Sequence, residues 1–182
     1  MMHPLYRRLL GPRFDNLPPL VRELHDVTAA SVWIGHADVE RGHSVASRMV
    51  ATLFGLPPAG GAQALRVAFE PVDGREIWTR TFGTSVFRSL QYERNGLLRE
   101  RVGPSTFVFA LDVSSEGLAL ILEGVRFLGV PLPRLLAPTV RTLESERAGR
   151  YRFEVEASLP VLGRIVRYEG WLEPGSINGC QA

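Results

Sequence analysis

The chain contains no lysine; all 21 of its basic side chains are arginine. That absence excludes Schiff-base chemistry, a Walker-type phosphate lysine and a lysine general base. Anion recognition, where it occurs, must run through arginine forks or backbone N–H groups. There is one cysteine, Cys180. No disulfide can form within one chain and no cysteine-rich zinc site can be built, which fits a reducing compartment. Long apolar runs are missing too. The longest clean ones, residues 118–122 and 107–111, fall far short of the ~20 residues of a membrane helix. The N-terminus lacks the apolar stretch of a signal peptide. The sequence therefore reads as a cytoplasmic protein without a transmembrane segment.

Charge is nearly balanced. The 182 residues carry 19 acidic side chains and a net charge of +2. Arg7, Arg8 and Arg13 stand among the first thirteen residues with no acid. The rest of the chain mixes both signs, unlike the basic stripe of a nucleic-acid binder. Neither a glycine-rich phosphate loop nor a dinucleotide fingerprint is present. The segment from Gly83 to Phe87 lacks the second glycine of a nucleophile elbow. His25, His36 and His43 match no metal-ligand spacing, and His25 reads as a hydrogen-bonded core histidine. No metal and no cofactor are expected.

What is present divides at about residue 60. Before it, the pattern is helical with one strand between. Pro18 and Pro19 suit a helix start, and Leu20, Val21, Leu24, His25 and Thr28 share one helical side. Val32, Trp33, Ile34 and Val39 predict a strand over 31–41. Ser44 is a plausible N-cap for a helix whose apolar stripe is Val45, Ala46, Met49, Val50, Leu53 and Phe54, with Gly55 at its end. After residue 64 the period is two. Asp73-Gly74 and Asn95-Gly96 mark hairpins. Roughly eight strands follow one another through short turns, which implies an antiparallel meander. The expected fold is α+β: N-terminal helices on a strongly curved meander, half-barrel or barrel-like. One domain over 1–174 and a tail over 175–182 are expected.

Residues two apart share a face of a strand. Glu76, Trp78, Arg80 and Phe82 share one; so do Val86, Arg88, Leu90 and Tyr92; so do Leu98, Glu100 and Val102; and so do Glu144 and Glu146. Charged groups thus fall among large apolar ones. Either these faces are solvated and cross-paired, or they line a concave pocket in which Glu76, Arg80, Arg88 and Glu100 pair. An apolar pocket with a few converging polar groups is the usual form of a ligand site. Glu76, Glu100 and Glu144 are also candidate acid/base groups. The segment 127–138 is apolar and proline-rich, and is read as a plug for one end of the sheet, as a lid or as a contact patch.

Several motifs occur together: Leu5-Tyr6 to Gly11, Phe14, Leu17-Pro18, His25, Val39-x-Arg41-Gly42, Phe54-Gly55-Leu56-Pro57, Glu76-x-Trp78-x-Arg80-x-Phe82, Glu100-Arg101-x-Gly103, Gly129-x-Pro131-Leu132-Pro133 and Tyr168-x-Gly170-Trp171-Leu172. In this order they resemble DUF4166, a bacterial family of unknown function, over about residues 5–174. The resemblance implies a module found alone or attached to larger chains, some with a dehydrogenase-like or epimerase-like domain, hence a possible partner enzyme domain. The element order is also loosely similar to helix-grip ligand binders, without their long C-terminal helix.

The leading expectation is a binding module for a small apolar or amphipathic ligand, with Arg41, Glu76, Trp78, Arg80, Arg88, Glu100, Glu144 and Tyr168 as site residues. The alternatives are an enzyme or enzyme-accessory domain using carboxylates, and a protein-interaction module.

Overall fold

A computed structural model describes residues 3–53, 56–133, 135–160 and 162–176. Helices α1 (Leu5–Leu10) and α2 (Pro19–His25) flank a 3-10 segment, Gly11–Asn16. Strand β1 (Ser31–Arg41) and helix α3 (Val45–Leu53) follow. The meander then comprises β2 (Gly60–Val72), β3 (Arg75–Phe82), β4 (Ser85–Arg94), β5 (Leu97–Val102), β6 (Ser105–Ser114), β7 (Gly117–Phe127), β8 (Val130–Pro131), β9 (Thr139–Arg147), β10 (Arg150–Leu159) and β11 (Gly163–Pro174).

All pairings are antiparallel, and the ring closes. Each strand lies beside its sequence neighbour, except that β9 passes the two-residue β8 to pair with β7. The last strand then pairs with the first, from Trp33 opposite Pro174 to Arg41 opposite Val166. The result is a ten-strand up-and-down barrel with β8 appended to one strand. Of the α+β, half-barrel or barrel-like meander expected from sequence, the antiparallel barrel holds and the α+β class is corrected: the protein is mostly β, and its sheet has no gap between first and last strand. Alternation within a strand reports which face is buried, but not which distant strand it meets. Irregular register at Ala37/Val39, Val108/Phe109 and Ala157/Ser158 adds the local bends that help a sheet curl.

The pleat separates two environments. Inward positions are apolar and buried, such as Leu65, Val67 and Phe69 on β2, or Tyr151 and Phe153 on β10. Outward positions carry ion pairs, such as Arg167 with Glu154 and Glu169, and Arg164 with Glu40. This is the reverse of a barrel whose outer wall faces lipid. Among the described residues no helix is long and apolar enough to cross a membrane.

An up-and-down barrel sends alternate connections to opposite ends. One end is closed by the N-terminal segment. Leu5, Tyr6, Phe14, Val21 and Leu24 are fully or almost fully buried there. Strand β9 holds α2 by two glutamates on one face: Glu144 meets His25 Nε2, and Glu146 Oε2 accepts the Leu20 N–H at 2.8 Å. A carboxylate at a helix N-terminus satisfies a donor that the helix itself leaves unpaired. Of the two helices that sequence places against the sheet, α2 therefore acts, together with α1, as a plug, whereas α3 lies at the other end.

The other end is the mouth. It carries α3, the hairpins 82–85 and 102–105, and the segment 127–138. Ser44 caps α3, its Oγ accepting the Ser47 N–H at 3.0 Å. The expected apolar stripe of α3 only partly faces inward. Val50 lines the interior, whereas Val45, Ala46 and Met49 stand in solvent. Gly55 and Phe54 lie outside the described residues. The proline-rich segment first turns back on β7 through Val130–Pro131, and its Leu128, Val130 and Leu135 stand exposed rather than plugging the sheet.

Two glycines sit at the closure seam. A Cβ at Gly35 would overlap the Trp171 carbonyl oxygen, and one at Gly170 would overlap that of His36. Each obstacle is backbone of the strand paired across the seam, so neither can swing aside. Gly35→Ala and Gly170→Ala are each expected to destabilise the barrel by about 1–3 kcal/mol, read as a lower urea midpoint. Unchanged midpoints would show that the seam tolerates a wider spacing.

Candidate functional site

Hairpin arithmetic decides which side chains meet inside. The two-residue turn at Gly83-Thr84 pairs Phe82 with Ser85, so the inward face of β3 continues through Ser85, Phe87, Ser89 and Gln91. The turn at Asn95-Gly96 likewise places Gln91 opposite Glu100. Glu76, Gln91 and Glu100 therefore form one polar row across β3, β4 and β5. Arg88 lies opposite Thr79 on the outer wall and is exposed. The expectation that Arg88 joins the inner pairs is corrected: the face Val86, Arg88, Leu90 and Tyr92 is the outer one. The signal that finds Ser89 and Gln91 instead is the length of the preceding turn.

The polar row is tied to the plug. Glu76 is buried and accepts the Trp78 Nε1–H at 3.0 Å and the Leu5 N–H at 3.3 Å. Tyr6 donates its hydroxyl to Gln91 Oε1 at 2.9 Å, and Gln91 Nε2 donates to Glu100 Oε1 at 3.3 Å. Arg80 donates to the same Glu100 oxygen at 3.3 Å and to Ser89 Oγ at 3.0 Å. Its guanidinium lies 4.8 Å from the Trp78 ring centroid and 5.6 Å from that of Phe87. His25 packs on Tyr6, ring centroids 3.8 Å apart, with Trp78 beyond it at 5.5 Å. So Glu76, Trp78, Arg80, Glu100 and Glu144 are gathered at one level of the barrel, as the alternating faces imply. Tyr6, Gln91 and Ser89 join them, and sequence reasoning did not single these out.

Above this layer the interior is open. A cavity of about 260 Å³ runs toward the mouth. Its walls are apolar, among them Leu65, Phe82, Phe107, Ala157 and Val166, with Leu56, Leu132 and Leu136 near the opening. Arg80, Glu100 and Glu144 line its inner end, and Tyr168 lies along one side. The Arg80 and Glu100 side chains are each 14% exposed, so both still face the open space. Arg41 is not part of this lining. Its Nε donates to the Pro57 carbonyl at 2.8 Å and its Nη2 to that of Leu56. It thus fixes the segment after α3 at the mouth.

Burial sets the protonation of the layer. It is the largest influence on Tyr6, Tyr151 and Tyr168, raising the first two well above 10.0 and the third to about 12. All three phenols stay protonated and able to donate. Burial opposes the Arg80 charge, but Glu100 and the surrounding tyrosines hold its pKa above the ordinary value. Burial also raises Glu76 above 4.5, against the pull of the Trp78 bond, His25 and the Leu5 N–H. Among the described residues no group of three or more His, Cys, Asp or Glu side chains could hold a metal ion.

Fold and site together define a closed antiparallel β-barrel, plugged at one end, with an apolar cavity floored by a hydrogen-bonded Arg/Glu layer. The chain belongs to the DUF4166 family, a domain of unknown function, matched over residues 17–172. No curated protein and no solved structure matches it.

A carboxyl whose pKa is raised by folding adds most stability below its unfolded value, and loses that contribution as pH rises through the folded value. Glu76→Gln cannot titrate. The stability advantage of the wild type over Glu76→Gln is therefore expected to shrink as pH rises above about 4.5. Urea unfolding of both proteins across that range checks this; a constant gap would contradict it.

Proposed function

We propose that the barrel holds one small, uncharged amphipathic molecule, its apolar body in the mouth half and its polar end at Arg80 and Glu100. The observation that carries this reading is the part-buried Arg80–Glu100 pair reaching the floor of an otherwise apolar cavity. A cavity of about 260 Å³ lies just below the usual size range of ligand pockets, which begins at about 300 Å³, so the molecule is small. Two of the five guanidinium N–H groups are used by Ser89 and Glu100 among the described residues, which leaves donors for a carbonyl or hydroxyl oxygen.

The charge balance argues for a neutral ligand. Arg80 shares the cavity floor with Glu100 and Glu144, so a carboxylate would gain no net positive field there. The three carboxylates that could serve acid/base chemistry all have protein partners: Glu76 has Trp78 and Leu5, Glu100 has Arg80 and Gln91, and Glu144 has His25. That supports holding a molecule over transforming one.

Displacement of the neutral fluorophore N-phenylnaphthylamine tests the reading. A medium-chain alcohol is expected to displace it at lower concentration than the matching carboxylate. The double variant Arg80→Met, Glu100→Gln keeps apolar bulk and strands no charge. It is expected to bind the alcohol about 10-fold more weakly, the worth of roughly one charge-assisted hydrogen bond, with unchanged circular dichroism. Equal displacement by alcohol and carboxylate, or no fluorophore binding at all, would overturn it.

A further inference from the structure

The mouth differs from the plugged end in both its charge and its apolar surface. The described residues of segments 41–63, 82–88, 101–107, 124–141 and 157–164 build it. They contain seven arginines and no aspartate or glutamate. Arg48, Arg88, Arg101, Arg126 and Arg141 are exposed, and none forms an ion pair among the described residues. Four strand acids immediately precede these segments: Glu40 and Glu156 are held by Arg164, Glu100 is held by Arg80 inside the barrel, and Glu123 is exposed on the outer wall. By contrast, every hairpin at the plugged end carries acids, such as Asp73, Glu93, Asp112, Glu116 and Glu146.

The apolar surface is concentrated at the same end. On α3, Met49 is 68% exposed and Val45 65%. On the loop opposite, Leu128 is 73%, Leu135 84% and Leu136 63% exposed. Among the described residues only Ile34, Val72 and Ile121 are large, apolar and exposed elsewhere. Leu128 is notable for its backbone. Four hairpins pair a non-glycine residue at positive φ with a following glycine: Asp73-Gly74, Asn95-Gly96, Ala148-Gly149 and Leu128-Gly129. The three at the plugged end use Asp, Asn and Ala. The one at the mouth places a leucine in a left-handed conformation that disfavours it, with its side chain in water.

We infer that the mouth docks on the surface of an anionic lipid bilayer. Unpaired arginines meet the negative headgroups, while Met49, Leu128 and Leu135 enter the boundary of the acyl region. The rim that would be buried in lipid is continuous with the cavity wall, since Leu56, Leu132 and Leu136 line the opening. The inference extends the cavity reading, because the bilayer would be the source of the neutral amphiphile. Docking itself requires only the rim.

Co-sedimentation of the full chain with vesicles tests it, comparing pure phosphatidylcholine with a phosphatidylcholine–phosphatidylglycerol mixture. Binding is expected to the mixture only, and to fall as salt is raised. Replacing Arg48 or Arg126 by Gln should weaken it about 5-fold each. Leu135→Glu and Met49→Glu should each weaken it at least about 10-fold, with unchanged circular dichroism. The plugged-end variant Arg94→Gln should bind like the wild type.

Failure to sediment with the anionic mixture at low salt would overturn the inference. So would equal binding by Leu135→Glu, or a dimer in light scattering that Leu135→Glu dissociates, which would make the face a self-interface. The cavity-filling variant Ala157→Phe separates the two proposals: it should lose N-phenylnaphthylamine and keep vesicle binding. Fluorophore binding without vesicle binding would sink docking alone, and vesicle binding without fluorophore binding would sink the cavity reading alone.

Discussion

The pairing of β1 with β11 is the constraint on which the rest of the structure depends. It joins residues more than a hundred positions apart, such as His36 and Trp171. Without it, the inward faces of the strands would be one side of an open sheet, and Arg80, Glu100 and Glu144 would face water. Closure turns that side into an interior, where each polar group must find a partner or bear the cost of desolvation. The partners it finds are specific. Trp78 and the Leu5 backbone serve Glu76, Gln91 links Tyr6 to Glu100, and His25 meets Glu144.

This polar layer divides the barrel into two halves of different character. Toward the plug, aromatic rings fill the space: Tyr6, His25, Trp78 and Phe69 lie in a continuous stack of contacts. Toward the mouth, the walls stand apart and leave the cavity. The division follows from what closes each end. Two helices and a 3-10 segment enter one end, whereas the other is bordered by a single short helix and a loop. Arg41 holds the segment between α3 and β2 against that border through two backbone carbonyls.

Much of this was legible in the sequence, in proportion to how local the signal is. The span of β1, the N-cap at Ser44, the hairpins at Asp73-Gly74 and Asn95-Gly96, and the shared face of Glu76, Trp78, Arg80 and Phe82 all follow from neighbouring residues. Arg88 was misplaced because β4 has mixed residues on both faces, so alternation alone does not choose between them. The adjoining two-residue turn does choose, and it puts Arg88 outside and Gln91 inside. Strong curvature was legible from the length of the meander, but which strands close the ring was not, since no local pattern on β1 or β11 names its partner. The outward-facing half of the α3 stripe was missed for a related reason: Val45 and Met49 look like core residues at helical spacing, and only the placement of the helix beside an open mouth leaves them uncovered.

The plug also has a consequence for the order of assembly. The segment that fills the closed end precedes every strand of the barrel in the chain. Tyr6, Phe14 and Leu24 have no interior to enter until β9, β10 and β11 have been added to the ring. Early contacts are therefore confined to local hairpins, while the plug and the seam depend on chain segments separated by most of the sequence. Folding that must wait for such distant pairings is slow. Until the ring closes, the aromatic side chains of the N-terminal segment remain exposed, and this segment is where the unfinished chain is most prone to associate with another copy.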